Sequence, residues 1–160
     1  MSGVLFAATT VAALGCGLMA GVFFAFSAFV MDGLAGLAST RGMAAMQSIN
    51  RAASTPPILT ALFGTALVCI GLAVSALAKA GEGSVGWLVS GAGFCLVGAI
   101  GVTLARNVPM NEALARVDPE RPEAAGHWKN YLRRWTVWNH VRGVAALAAA
   151  ALLTVGLIQA

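Results

Sequence analysis

Hydrophobic residues run along this chain in four long uncharged blocks, separated by polar stretches of unequal length. A membrane-spanning helix needs about 20 apolar residues, and each block can supply one once the aromatic stretch before the last block is joined to it. The sequence therefore predicts an all-α fold, an integral membrane four-helix bundle forming one domain over residues 1–160. The predicted spans are residues 3–31, 55–78, 83–105 and 136–160.

Composition supports a membrane protein and excludes several other classes. The AVILMFWYC set makes up 59% of the chain and charged residues only 10%, against about 25% charged in a soluble domain. Disorder, a collagen and a soluble enzyme are excluded, and the net charge of +4 gives no reason to expect a nucleic-acid partner. No Lys or Arg precedes the first block, which is too long for the hydrophobic part of a signal peptide, so we expect a retained first span.

Basic residues collect in two of the three connections. Residues 32–54 and 106–134 form the longer loops, whereas residues 79–82 form a predicted tight turn with Lys79 as its only basic residue. Positive residues favour the cytoplasmic side. We therefore predict a multi-pass inner-membrane protein with both termini outside and loops 1 and 3 in the cytoplasm. The loop residues that decide this are Arg41, Arg51, Arg106, Arg116, Arg121, Lys129, Arg133 and Arg134.

Small residues within the blocks predict close helix packing. Gly17 and Gly21 form a GxxxG step in the first span, and such residues allow helices to approach closely in lipid. Cys16, Cys69 and Cys95 each lie inside an apolar block and form no CxxC pair. We interpret them as small buried hydrophobes, and the sequence predicts no metal site.

Loop 1 contains a helical stripe of methionines interrupted by amides. Met43, Met46, Gln47 and Asn50 share one helical face. One interpretation is an interfacial helix whose apolar side lies in the lipid headgroups. The other turns Asn50, together with Arg51, into a pocket.

Loop 3, expected to be helical, begins with a polar segment around a proline. Pro109 disfavours helix at Val108, so the third span is predicted to break or kink there. Asn107 and Asn111 would satisfy the freed backbone groups, or orient a polar ligand. Glu112 is a candidate base, or a solvated residue in the first turn of a new helix.

The start of the last helix carries an aromatic face with two polar residues. Trp128, Tyr131, Trp135 and Trp138 are typical of an interfacial aromatic belt. Asn139 and Arg142 continue this face into the start of the hydrocarbon region, where little water is present. An unpaired polar group there is costly. The residues on this face are Trp128, Tyr131, Trp135, Trp138, Asn139 and Arg142.

His140 lies away from that face and faces a different neighbour. It is either a hydrogen-bonded structural residue or a general base, since imidazole exchanges protons near neutral pH. His127 is too isolated to form a metal or haem site with it. The two loops bring the polar groups to one end of the bundle, and convergent polar groups above an apolar interior describe a small-molecule pocket. The asparagines expected there are Asn50, Asn107, Asn111 and Asn139.

At these positions the sequence resembles the family of small four-span membrane proteins that includes the anthrone oxygenases. The matching stretches are GVFFAFSAFVM (21–31), AAMQSINR (44–51), NVPMNEALA (107–115) and the Trp128–Arg142 run. The resemblance implies an oxidoreductase that inserts oxygen from O₂ at the methylene of an apolar aromatic substrate. It implies no metal and no organic cofactor.

Roles in such a reaction follow from the chemistry of the side chains. His140 is the expected base, with Glu112 in reserve. The candidate donors to a developing oxyanion are Asn50, Asn107, Asn139 and Arg142. Trp128, Trp135 and Trp138 are candidates for stacking the substrate rings, and Tyr131 is a further candidate substrate-binding residue.

Two other function classes compete with the oxygenase. A non-catalytic membrane module would hold a quinone, lipid or haem in the same pocket without a base. A transporter or channel is disfavoured because no Asp, Glu, Lys or Arg lies in the middle of a span. The sequence is compatible with a monomer or a homo-oligomer.

Overall fold

The computed structural model describes residues 1–78 and 83–159, and over that part of the chain it contains helices and no strand. Four of the helices are long and apolar enough to cross a membrane, which confirms the predicted all-α four-span fold. The predicted turn at residues 79–82, with Lys79, lies outside the described residues, as does Ala160. We number the helices α1 (Gly3–Ala35), α2 (Ser39–Ala52), α3 (Pro56–Leu77), α4 (Val85–Ala115) and α5 (Ala124–Ile158).

Three of the spanning helices are longer than the uncharged blocks predict. α1, α4 and α5 contain 33, 31 and 35 residues, so each is about 45–53 Å long at 1.5 Å per residue. The hydrocarbon core of a bilayer is only about 30 Å thick. These helices therefore project beyond it, and their polar extensions, with α2, build a protein layer at the end of the bundle that carries loops 1 and 3.

α4 passes through Pro109 without leaving the helical conformation, so the predicted break is wrong. Val108 has φ −60° and ψ −51°, and π-helical turns over Phe94–Gly101 and Thr103–Asn107 come before it. A wider turn ahead of a proline moves the carbonyl that its ring would otherwise meet. These π-helical turns shift the backbone hydrogen bonds by one residue, so the helix continues where a break was expected.

The spanning helices pack in a ring, each against its neighbours in sequence and α1 against α5. Their shared core is built largely from small side chains, among them Ala12, Ala92, Ala146 and Ala149. Some glycines lie at close approaches. A Cβ placed on Gly98 would lie 2.5 Å from the Cβ of Ala145. This confirms packing through small residues at the α4–α5 contact.

We expect Gly98→Ala to destabilise the bundle, because the added methyl group must push α5 away. Overpacking of this kind costs about 1–3 kcal/mol. Gly93→Ala on the same helix is the matched control, since nothing lies within 4 Å of a Cβ placed there. Unfolding in detergent, followed by circular dichroism, should show a lower midpoint for Gly98→Ala alone. Equal midpoints would contradict the packing.

α2 lies against protein, so the interpretation that its methionine face enters the lipid headgroups is wrong. Met43 and Met46 are fully buried in a cluster that includes Trp128. A Cβ placed on Gly42 would lie 2.7 Å from the Leu34 carbonyl oxygen, so the helix approaches α1 where only glycine fits. The aromatic start of α5 supplies the apolar surface that the sequence pattern assigned to the membrane.

Gln47 ties loop 1 to loop 3. Its Nε2 donates to the carbonyl oxygens of Leu114 and Val117, both at 2.9 Å. The last carbonyls of a helix have no partner within the helix, so this amide caps the end of α4. The two loops therefore form one layer over the end of the bundle.

Candidate functional site

An apolar groove runs between α1 and α5 on the outer face of the bundle. Its volume is about 450 Å³, within the range of small-molecule sites. Phe24, Val144 and Leu147 form its rim and are largely exposed, so the groove opens outward rather than into a closed core. Its lining is completed by Gly17, Ala20, Gly21, Phe23, Ser27, Ala28, Asn139, His140 and Gly143.

Two glycines on α1, which have no side chains, leave this space open. Nothing lies within 4 Å of a Cβ placed on Gly17 or on Gly21. The GxxxG step therefore does not lie at a close helix approach within the described chain, and the prediction that it packs the bundle is wrong. Its two glycines leave a hollow where larger residues would fill the gap between α1 and α5.

The polar end of the groove is held by Asn139. Its Nδ2 donates to the Phe23 carbonyl oxygen at 2.7 Å and to the Ser27 Oγ at 2.6 Å. Its Oδ1 accepts from Nε and an NH2 group of Arg142, at 3.0 and 2.8 Å. The amide is fully buried and fully oriented. We call Arg142, Asn139, Ser27 and Thr103 the Arg142 network.

Arg142 brings a buried positive charge next to the groove. It is 8% exposed, and its hydrogen bonds go to neutral oxygens, those of Asn139 and of the Thr103 hydroxyl at 3.2 Å. Its guanidinium also lies over the rings of Phe23 and Trp135, at 4.1 and 5.1 Å. Cation–π contacts and neutral dipoles stabilise the cation, and no carboxylate forms an ion pair with it within the part of the chain that the structure describes.

Ser27 stands between this cation and the groove. Its Oγ accepts from Asn139, and no acceptor for its own proton is found within residues 1–78 and 83–159. The hydroxyl is half-buried on the groove wall. It can therefore donate to an oxygen atom of a ligand.

A second group of polar residues is packed and does not line the groove. The Asn111 Oδ1 accepts from the Tyr131 hydroxyl and from the Trp135 indole nitrogen, both at 2.8 Å. Asn50 Nδ2 makes a long 3.5 Å contact with the Tyr131 hydroxyl. We call these four residues the Asn111 network. All four of these residues are predicted to meet a ligand, but they bind one another instead.

Asn107 is attached to the Asn111 network through Trp135. It is fully buried, and its Nδ2 donates to the Trp135 carbonyl oxygen at 3.4 Å. Its Oδ1 has no hydrogen-bond partner within the described residues. Polar groups from both loops thus converge as the sequence predicts, but of the four asparagines only Asn139 lines the groove.

The predicted ring-stacking tryptophans are largely engaged with protein. Trp128 stacks on Tyr131 at 5.8 Å and Tyr131 on Trp135 at 6.2 Å, and all three are buried. Trp138 is covered by the Arg106 guanidinium at 4.8 Å. The apolar walls of the groove come from Phe23, Phe24 and aliphatic side chains instead.

The two candidate bases lie in different places. His140 is exposed on the groove wall beside Asn139, whereas Glu112 is exposed on the extension of α4 and does not line the groove. Arg51 is also exposed and donates to the Ser48 hydroxyl at 2.8 Å. The geometry favours His140 over Glu112 as a group that a ligand in the groove would meet.

Sequence reasoning missed Ser27 and a cysteine cluster. Ser27 lies inside GVFFAFSAFVM, but one serine in an apolar helix carries no signal by itself. The sulfur atoms of Cys16, Cys69 and Cys95 lie within 4.8 Å of one another. These residues are buried as predicted, but their convergence depends on helix rotation and depth, which the sequence does not specify.

Comparison with known proteins bears on the family. A family model described as "Anthrone oxygenase" matches residues 58–152, which include Asn139, His140 and Arg142 but not Ser27. No significant match was found among curated proteins or among solved structures. The family match covers more than half of the chain and agrees with its four long apolar helices. The chain belongs to the anthrone oxygenase family.

Proposed function

We propose that this protein is a membrane-embedded oxygenase that oxidises an apolar aromatic substrate of the anthrone type in the α1/α5 groove. The observation that carries the proposal is that Ser27 on α1 and His140 on α5 both line this apolar groove, with Arg142 connected to Ser27 through Asn139. A flat apolar molecule fits such a groove. The polar end offers one group to accept a proton and one to donate a hydrogen bond.

The reaction begins with proton removal. An anthrone has a methylene group across the ring from a ketone, and loss of one C–H proton gives a delocalised anion with negative charge on the ketone oxygen. That anion passes electrons to O₂ and forms a C–O bond, giving a hydroperoxide at the former methylene carbon once a proton returns. Loss of water from the hydroperoxide leaves a second carbonyl. One O₂ is consumed and one water is released.

His140 is the proposed proton acceptor, since an imidazole on the groove wall can take the methylene proton and return it to oxygen. Ser27 is the proposed donor to the ketone oxygen. Because Ser27 accepts from Asn139, and Asn139 accepts from Arg142, the three form a polarised chain that ends at the substrate. Hydrogen bonds in such chains strengthen one another where the dielectric constant is low.

The groove suits reactants that dissolve in lipid. Its rim is apolar and exposed along α1 and α5, so substrate and O₂ would enter sideways from the bilayer. The basic residues of loops 1 and 3 place this end of the bundle at the cytoplasmic face of the inner membrane in our proposal. Both termini then lie outside.

A non-catalytic module that binds a quinone or a lipid is the second candidate. The outward opening of the groove favours it, because a lipid chain could occupy the same space. The two proposals differ in what His140 does. A binding module holds its ligand without it, whereas an oxygenase needs it for turnover.

The proposed function is tested by filling the groove. We expect Gly21→Leu to lower O₂ uptake with a simple anthrone by at least about tenfold, because a leucine would occupy space that is now empty and that the substrate needs for positioning. The measurement uses an oxygen electrode with detergent-purified protein, and product is followed by absorbance.

Gly71→Leu is the matched control. Gly71 also has nothing within 4 Å of an added Cβ, and it lines a different outward groove of about 400 Å³ between α1 and α3. This variant should retain wild-type turnover. Equal loss in both variants, or turnover unaffected by Gly21→Leu, would place the reaction elsewhere.

A further inference from the structure

We propose that Cys16, Cys69 and Cys95 form a copper(I) site in the core of the bundle. Each cysteine comes from a different spanning helix, α1, α3 and α4, and each is fully buried. The site does not depend on the proposed oxygenase function, and no step of that reaction passes through it.

The geometry is close to a trigonal sulfur site. The three sulfur atoms lie within 4.8 Å of one another, so a common centre is at most about 2.8 Å from each. Bonds from zinc to thiolate sulfur are about 2.3 Å, and those to copper(I) are similar. A shift of about half an ångström per sulfur, within reach of small side-chain rotations, would complete the coordination.

The ligand set favours copper(I) over zinc. Soft sulfur ligands select copper(I) or zinc, but structural zinc takes four ligands. Within the described residues the group contains three cysteines and no histidine or carboxylate. Copper(I) has a filled d shell and is satisfied by two or three sulfur atoms.

Binding of the ion is coupled to deprotonation of the buried thiols. An isolated charge is costly in an apolar core, and the surroundings here are alanine, leucine and methionine side chains. Copper(I) binds thiolates rather than thiols, so the coordinating cysteines lose their protons to the buffer when Cu⁺ binds, and the bound ion offsets one of the negative charges that result. No electron is transferred.

The site is separate from the α1/α5 groove. Cys16 faces the core, whereas its neighbour Gly17 is exposed and lines the groove. Copper binding and substrate turnover can therefore be measured independently. Failure of one proposal leaves the other standing.

The test is a competition titration of reduced, detergent-purified protein against copper(I) held by a coloured chelator such as bicinchoninate. We expect one equivalent of copper(I) to transfer to the wild-type protein. Each single Cys→Ala variant should bind about tenfold more weakly or worse, the effect seen even for residues that only support a metal ligand. The Cys69→Ala/Cys95→Ala double variant should not compete.

Met43→Leu is the control for another soft site, because the thioethers of Met31, Met43 and Met46 are buried together in the loop layer. It should bind as wild type. Wild-type and double-variant proteins that compete equally, or a wild type that takes no copper(I), would overturn the proposal.

Copper-edge X-ray absorption of the wild-type complex tests the site without relying on any variant to fold. A shell of three sulfur atoms is expected. A shell made mainly of nitrogen or oxygen would overturn the proposal even if binding is tight.

Discussion

We expect His140→Ala to lower kcat for anthrone oxidation by about 10²- to 10⁴-fold, the usual contribution of a positioned general base. The imidazole is exposed on the groove wall, so its removal should leave the fold intact. Steady-state O₂ uptake in detergent gives kcat and KM separately. Because a general base acts on the reacting proton rather than on substrate affinity, the loss should appear mainly in kcat.

His127→Ala is the matched control. It removes the other histidine, which is also exposed but lines a small hollow of about 150 Å³ with Tyr131. This variant should keep wild-type kcat. If turnover were unchanged in His140→Ala, His140 would not be the base and Glu112→Gln would become the next variant to measure.

We expect Ser27→Ala to lower kcat by about 10²- to 10³-fold, as when one donor to a developing oxyanion is removed. The Ser27 hydroxyl accepts a hydrogen bond from Asn139, which in turn accepts one from the buried Arg142 cation. Asn139 keeps its hydrogen bond to the Phe23 carbonyl oxygen in the variant. The contact between α1 and α5 should therefore survive.

Ser90→Ala controls for loss of a serine from a membrane helix, because Ser90 is exposed on α4 and does not line the groove. Binding of a non-reactive anthraquinone, followed by fluorescence quenching, separates the two effects of Ser27→Ala. Near-normal binding with slow turnover supports a donor that acts on the developing anion. Normal turnover would exclude the Ser27 role.

Hydropathy predicted the spans because membrane insertion depends on composition averaged over many residues, and such an average is available from the sequence. The meeting of loops 1 and 3 was also predictable, since four antiparallel spans put both at one end. The helical extensions beyond the membrane could not be predicted in this way, because their apolar faces pack against other parts of the protein and not against lipid. Met43 and Met46 show the same pattern whether they cover lipid or Trp128.

The groove could not be predicted because a GxxxG step has the same sequence whether a neighbouring helix contacts it or not. Gly98 lies at a tight approach and Gly21 beside an empty space, and only the rotation of each helix separates them. The π-helical turns before Pro109 add a further shift that no periodicity of 3.6 anticipates. His140 was singled out from its place off the aromatic face, whereas Ser27 is distinguished only by its hydrogen bond from a partner 112 positions away.

An opening along the side of the bundle also changes what the substrate concentration means. For a ligand that arrives laterally, the quantity that saturates the protein is its mole fraction among lipids or detergent molecules, not its amount per volume of buffer. Adding inert detergent at fixed total substrate would then slow turnover by surface dilution. Rates measured for this protein would therefore need to state the amount of lipid or detergent together with the substrate concentration.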